Sequence, residues 1–395
     1  MAGRAVKVVA LAVVAAACLV GTTRGAGLPP EYFNTVWTYN DTHSAARGLV
    51  GPAAWHELWG ACDTAGADAH QSPVDIDPAR VRTGTGGVLP VAFRGAACAL
   101  RVRNIGATLS AVPPADCARS TFATAAGTTY VLAEAHLHWH DAADDAGTEH
   151  TLAGRGAAAE AHLVHYDARF ASVEAALHDG AVGNIAVVAV RYAVDPAAAP
   201  DATAVPALDT FVAPTYPALR YMNLSATVRA PAVDPYALLG SAEKGFAEAG
   251  LDAVPMYHYN GSLTTPPCSA LVSWFVVQQP VAVARTQIER LRRFSRFNES
   301  EAAAHTLGFE LPTNVRAPAP LNARIVYAWP PASSSSSSSQ PAPTPAPEPR
   351  SFFHFGLALG GSVIAAVVAA AIIIVVCVPS KRPTRYASVP SAPKS

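Results

Sequence analysis

The sequence is short of charge. Only 14% of its 395 residues are Asp, Glu, Lys or Arg, and 28 basic against 29 acidic side chains leave a formal net charge of −1. A chain so balanced has no bulk positive field for a phosphate backbone, which excludes nucleic-acid binding of the electrostatic kind. No segment recurs with a period of roughly 20–50 residues, which excludes solenoids and propellers. His-Glu-x-x-His is absent as well, so a helix-borne protease zinc site is not encoded. What is abundant is apolar: 51% of the residues are hydrophobic, and both ends carry long apolar runs.

Those ends set the compartment. Arg4 and Lys7 precede an apolar stretch from Val8 to Val20, and small residues follow to Gly27. This order of charge, apolar core and small residues reads as a secretory signal over 1–26. A transmembrane helix is expected over 352–378, where Phe355 to Val378 runs 24 residues without a charge, enough at about 1.5 Å per residue to cross a hydrocarbon layer of roughly 30 Å. Lys381, Arg382, Arg385 and Lys394 follow in the tail, 379–395. The positive-inside tendency places that tail in the cytoplasm and the rest of the chain outside, a single-pass type I topology at the plasma membrane. A lipid-anchor signal fits less well, because it normally ends within its apolar tail. The segment 330–350, with serines at every position from Ser333 to Ser339 and then Pro, Ala and Thr, cannot form a core and reads as an extended stalk.

Of the six cysteines, Cys18 falls in the signal and Cys377 in the span, leaving Cys62, Cys98, Cys117 and Cys268. In an exported domain these imply two disulfides, with three possible pairings. Sequons at Asn40, Asn223, Asn260 and Asn298 are glycosylation candidates. Between signal and stalk, residues 33–329 read as one extracellular domain. Ala161 to Tyr166, Val187 to Val190 and Leu271 to Val277 are short, apolar or alternating, and read as strands. Helical spacing is confined to Val173 to His178 and Val283 to Arg296. The coarse answer is a mainly β domain, a large sheet with peripheral helices.

The histidines carry chemistry. Glu134-Ala135-His136-Leu137-His138-Trp139 alternates along a strand, so His136 and His138 project to one face while Ala135, Leu137 and Trp139 take the other. Glu160-Ala161-His162-Leu163-Val164-His165 repeats the alternation. An antiparallel return brings His162 to the first pair and leaves His165 on the opposite face as a buried hydrogen-bonded side chain. Three imidazoles with no cysteine nearby match a catalytic zinc centre, whose fourth position stays open, rather than a closed structural one.

At this point the residues resemble a family. Gln71-Ser72-Pro73-Val74-Asp75-Ile76, His136-Leu137-His138-Trp139, Thr148-Glu149-His150-Thr151, Ala159-Glu160-Ala161-His162-Leu163-Val164-His165 and Gly261-Ser262-Leu263-Thr264-Thr265-Pro266-Pro267 are similar, in order and spacing, to the α-class carbonic anhydrases of the membrane-anchored extracellular type. The likeness runs from about Trp37 to Tyr327. It implies a ten-stranded, twisted, mostly antiparallel sheet with peripheral helices and Zn²⁺ on His136, His138 and His162. The activity it implies is reversible hydration of carbon dioxide to bicarbonate and a proton.

The resemblance also implies roles. Thr264 accepts a hydrogen bond from hydroxide and donates to Glu149. Thr265 contacts bicarbonate, and Val164, Val187, Leu263, Val272 and Trp274 form an apolar wall for carbon dioxide. Glu160 is the acceptor that orients the histidines, and Glu134 stands where well-known members carry Gln. Cys62 and Cys268 match a disulfide of extracellular members, which leaves Cys98 and Cys117 for the second.

Three departures follow from the same comparison. Ala107 occupies the place of the histidine that shuttles protons in the fastest members, so turnover is expected to be limited by proton transfer to buffer or to a residue such as His140 or Tyr39. Glu134 adds negative charge beside His136. In the closing segment from Asn314 to Arg324, Ala317 and Ala319 replace a usual Pro and Gln, with structural consequences only. The alternative to an enzyme is a catalytically silent ectodomain of the same family acting in adhesion or binding, and loss of a zinc histidine would be its mark. Zinc-dependent ester hydrolysis is a possible side activity. No motif in the tail assigns a protein partner.

Overall fold

The computed structural model describes residues 37–39, 50–66, 68–140, 144–194, 205–212, 215–222, 227–240, 254–295, 299 and 313–329. The expected signal, stalk, transmembrane helix and tail, and the sequons at Asn40, Asn223 and Asn298, lie outside these residues. Among the described residues no helix is long and apolar enough to cross a membrane. Asn260, the remaining sequon, is exposed.

Strands dominate. In chain order they are β1 (Asp75–Ile76), β2 (Arg82–Thr83), β3 (Val91–Arg94), β4 (Arg101–Asn104), β5 (Leu109–Val112), β6 (Thr121–Thr124), β7 (Thr129–Trp139), β8 (Thr151–Leu152), β9 (Ala159–Asp167), β10 (Ile185–Val194), β11 (Val228–Arg229), β12 (Met256–Gly261), β13 (Val272–Val277), β14 (Val281–Val283) and β15 (Tyr327–Trp329). A continuous path runs β11-β4-β5-β7-β9-β10-β13-β12-β15-β2. It has the ten strands that the resemblance implies. The sheet itself has 13, because β14 pairs with β10, and β3 and β6 attach beside β7; β1 and β8 form a separate pair. Most neighbours are antiparallel, the exceptions in the large sheet being β10 with β13, β10 with β14 and β15 with β2.

The long central strands are buried on both faces, which explains why β10 reads as a nearly unbroken apolar run. Alternation sorts their side chains into two cores. Leu163, Val188 and Phe275 pack on one side with Phe122 and Trp139. Their chain neighbours Val164, Val187 and Trp274 pack on the other with Tyr259 and Val276. The histidine site grows from this second side.

Helices are short and peripheral. Val173–Asp179 starts at Ser172, whose hydroxyl accepts from the Ala175 N–H, and stops at Gly180, which takes φ 77°. The helix expected over Val283 to Arg296 is only Arg285–Leu291. At its front Val283 is claimed by β14, paired with Val194. Behind it the Ser295 N–H donates to the Arg220 carbonyl at 2.7 Å, so the chain turns away although Phe294 keeps helical spacing.

Both disulfides match the expected pairing, Cys62 with Cys268 and Cys98 with Cys117. The first closes a separation of 206 residues, so it removes much freedom from the unfolded chain. Replacing both its cysteines by serine is expected to lower unfolding stability by about 2–5 kcal/mol. Urea midpoints measure this, and an unchanged midpoint would refute it.

Candidate metal centre

β7 and β9 lie antiparallel with His136 directly opposite His162. The register shifts between Leu132 and Glu134, leaving Ala133 as an extra residue. That bulge changes the phase of the strand. Before it Val131 faces the second core; after it Glu134, His136 and His138 take that side and Ala135 and Leu137 the first. The two strands thus bring three imidazoles together, with ligand-capable nitrogens within 4.8 Å of one another.

The partners of each ring fix its tautomer. His136 Nδ1 lies 2.9 Å from Glu134 Oε1, His138 Nδ1 2.6 Å from the Asn314 carbonyl, and His162 Nε2 2.7 Å from Glu160 Oε1. Carbonyls and ionised carboxylates only accept, so each of these nitrogens carries the proton, and the nitrogen facing inward is a bare lone pair. Two of them, His138 Nε2 and His162 Nδ1, face each other at 3.1 Å. Burial is the main reason that His138 is held well below the usual histidine range and His162 falls to about 4. Both rings are therefore neutral at physiological pH. Converging lone pairs with no proton between them fit a cation, and the all-nitrogen donor set suits zinc.

The outer partners are themselves anchored. Burial favours a higher pKa for Glu134, but the hydrogen bonds with His136 and Ser110 and the nearby Arg103 guanidinium outweigh it and hold the group below the usual carboxylate value. Glu160 is fully buried and held low against its burial by His150 and His162. His150 spends both ring nitrogens, on Glu160 and on the Tyr259 hydroxyl, each at 2.7 Å. The His150, Glu160 and His162 group is thus a closed hydrogen-bonded set that orients His162, although it too has metal-ligand composition.

Above the histidines lies a cavity of about 100 Å³. Thr264, Thr265, Val164, Val187, Leu263 and Trp274 line it, as does Ala107. Val272 does not; it is fully buried in the same apolar cluster, behind the wall. Ile105, Val173, Leu177 and Ile185 complete the apolar lining, none of them anticipated from sequence. Of the two proton-relay candidates, Tyr39 lines the cavity, but burial and then Glu149 push its pKa well above the usual tyrosine range. His140 is not on the cavity lining; its carbonyl accepts from Arg292 Nε at 2.8 Å. His165 faces the first core, its Nε2 3.0 Å from the Tyr236 hydroxyl, with burial lowering it to about 3.

Glu149 is fully buried. Burial drives its pKa well up, with Glu160 adding to the rise, while Thr264 and the Arg316 N–H oppose it. The Arg316 N–H donates to its Oε1 at 2.9 Å, and Oε2 has no hydrogen-bond partner among the described residues. Arg316 also donates to Gln71 Oε1, the Ser72 carbonyl and the Cys62 carbonyl, while Gln71 donates to the Cys268 carbonyl. The Thr264 loop is therefore stitched at its base by a disulfide and a guanidinium. Asn314 and Arg316 belong to the closing segment noted in the sequence, but only the fold shows that they reach the histidines and Glu149; a polar pair that far along the chain gives no local signal.

The sequence profile of the family described as eukaryotic-type carbonic anhydrase matches residues 50–330. Similar curated proteins include "Carbonic anhydrase 3" of Sus scrofa, 28% identical over 295 residues that cover 74% of this chain and 97% of the relative. "Carbonic anhydrase 6" of Homo sapiens is 28% identical over 306 residues, covering 73% and 82% respectively.

Proposed function

Because the chain belongs to the eukaryotic-type carbonic anhydrase family, an enzyme family of carbonate dehydratases, we propose that it hydrates carbon dioxide reversibly at the extracellular or lumenal face of a membrane. The observation that supports this most is the set of three inward lone pairs on His136, His138 and His162 beside Thr264 and Glu149. All parts of the constellation are present, which favours an enzyme over a silent binding domain.

When bound by these three nitrogens, zinc supplies Lewis acidity that makes water a nucleophile. The protein's residues do the rest. Glu134, Asn314 and Glu160 hold the outer protons of the imidazoles, so the rings cannot turn. Burial favours the neutral acid of Glu149; beside a bound dication it would be ionised and could then only accept. Thr264, whose hydroxyl lowers the pKa of Glu149, would give its Oγ1 proton to that carboxylate and so present lone pairs to the cavity, which would set the direction in which a hydroxyl proton points. The apolar side chains of Val164, Val187, Leu263 and Trp274 exclude water from the place of an apolar substrate, and Thr265 offers a hydroxyl to the polar product.

The proton is the difficult passenger. Ala107 cannot titrate, Tyr39 holds its proton too tightly, and His140 lies off the cavity lining. Proton release is therefore left to buffer. The membrane setting rests on sequence: an exported domain with two disulfides, a stalk over 330–350 and an apolar run over 352–378. Stopped-flow hydration with the zinc-loaded protein is expected to show a maximal rate that climbs about tenfold or more as imidazole is raised, within the range of general acid–base assistance. A high rate that ignores imidazole would overturn the buffer-limited reading, and a folded, zinc-loaded protein with no hydration would move the assignment to the silent domain.

A further inference from the structure

The chain as a whole is nearly neutral, at −1, but one face of the sheet beside the cleft is not. β11 and β4 end the sheet, and in them Val228 and Val102 form a cross-strand pair facing the first core. Arg101, Arg103 and Arg229 therefore take the other face, the one that carries the histidines. Arg103 lies opposite Ser110, and Ser110 opposite His136, so two strand spacings, about 10 Å, separate the backbones of Arg103 and His136. The Arg103 charge already bears on Glu134, which lines the cleft. Arg229 lies directly opposite Arg101, and both are exposed. A single exposed arginine needs no explanation. Two set directly across a strand pair do, because like charges so placed are destabilising. No carboxylate relieves them: among the described residues none of the three arginines makes an ion pair or a side-chain hydrogen bond. Of the two acids on the cleft lining, Glu134 is engaged by His136 and Ser110, and Glu174 pairs with none of the arginines.

We propose that this arginine rim gathers the proton acceptor of the reaction, and that the acceptor it fits is a small dibasic oxyanion of the hydrogen phosphate class. The inference rests on the hydration activity proposed above and names the buffer that completes it. Ala107 leaves proton release to a diffusing base, which must reach the cleft before it can act. Guanidinium groups hold phosphate oxygens through paired N–H donors, and charge of one sign beside a cleft raises the local concentration of the other. A neutral base such as imidazole gains nothing from that field. A phosphate also titrates near neutrality, so it can accept under the conditions in which hydration runs. Carbon dioxide, water and hydrogen phosphate give bicarbonate and dihydrogen phosphate; the proton passes to a phosphate oxygen, atoms and charge balance, and nothing is oxidised. A dianion arrives and a monoanion leaves, so the rim attracts the reagent more strongly than its spent form.

Stopped-flow hydration by the full-length, zinc-loaded protein at fixed ionic strength, with phosphate or imidazole as the only buffer, reads the preference. Phosphate is expected to reach its half-maximal effect at about a tenfold lower concentration than imidazole, within the range of electrostatic gathering. Arg101→Gln combined with Arg229→Gln should raise the phosphate concentration required by about tenfold and leave the imidazole curve in place. Arg101→Lys with Arg229→Lys should keep most of the preference, and added inert salt should erase it. Arg103 is left intact, since its charge bears on Glu134. Both substituted side chains are exposed, so folding is not at stake. Equal demand for the two buffers, a loss shared by both, or a preference that survives the glutamine pair overturns the proposal. Broadening of the phosphorus resonance of hydrogen phosphate by the zinc-free protein, abolished in the glutamine pair, is the expected sign of the same attraction without any hydration. No broadening overturns the rim whatever the enzyme does, whereas broadening without hydration in the loaded protein faults the proposed activity alone.

Discussion

The His162→Ala protein is expected to lose stoichiometric zinc and, with it, most of the proposed hydration activity, an acceleration that for enzymes is at least about 10⁶-fold. Two consequences of the substitution act together. The inward Nδ1 is removed from a three-nitrogen set, and Glu160, buried and ionised, keeps only His150 as an imidazole partner. An unpaired buried charge is costly, so some loss of stability should accompany the loss of metal. His136→Ala separates the two effects, because His136 is the most exposed of the three, with 18% of its side chain accessible, and its carboxylate partner Glu134 retains Ser110. It should lose zinc with little change in melting temperature. Metal analysis after gel filtration and a thermal melt of each variant decide the matter; full zinc occupancy in either would remove that histidine from the centre. Proton competition has a defined direction as well. Histidine binds a metal only when neutral, and His162 becomes protonated only as pH falls to about 4, so zinc should be retained through mildly acidic conditions and released below them.

The second large effect concerns the direction of one proton. Glu149→Gln replaces an acceptor-only carboxylate by an amide that can donate to Thr264, and Thr264 then has no fixed duty to give its proton away. We expect kcat/KM to fall by about 10²–10³-fold, the size seen when one preorganised hydrogen-bond group is lost from a reacting centre. Thr264→Ala should do the same. Since the two act in series, the double variant should lose little more than either single one, as is usual for residues working as a unit. Zinc content must stay at one per chain for the comparison to count. Losses that multiply in the double variant would show that Thr264 and Glu149 act independently.

Some of this was written plainly in the sequence. His136 and His138 share a face because a strand repeats every two residues, and the apolar run of β10 declares a strand covered on both sides. The bulge at Ala133 was not legible, since it depends on how β7 meets β9 and on nothing in the residues of β7 alone. Val283 has helical spacing with Leu291, yet pairing with β10 claims it; tertiary hydrogen bonds outweigh a local period. Val272 shares a strand face with Trp274, but lies behind the wall rather than on it, because depth along a strand is set by what stacks above it. Asn314 was visible only as part of a closing segment. Its carbonyl orients His138 from a distance of 176 residues, and no window on the sequence spans that.

That distance orders events during synthesis. Ribosomes add roughly 5–20 residues per second, so about 9–35 s pass between His138 and the residue that holds its ring in place. By the end of that interval the three imidazoles have been made and have left the ribosome, while the carbonyl that orients His138 and the Arg316 N–H that meets Glu149 have not. Metal that arrives early therefore finds ligands without their braces. A centre loaded at that stage would be open and exchangeable, and would become fixed only when the segment carrying Asn314 and Arg316 closes over it.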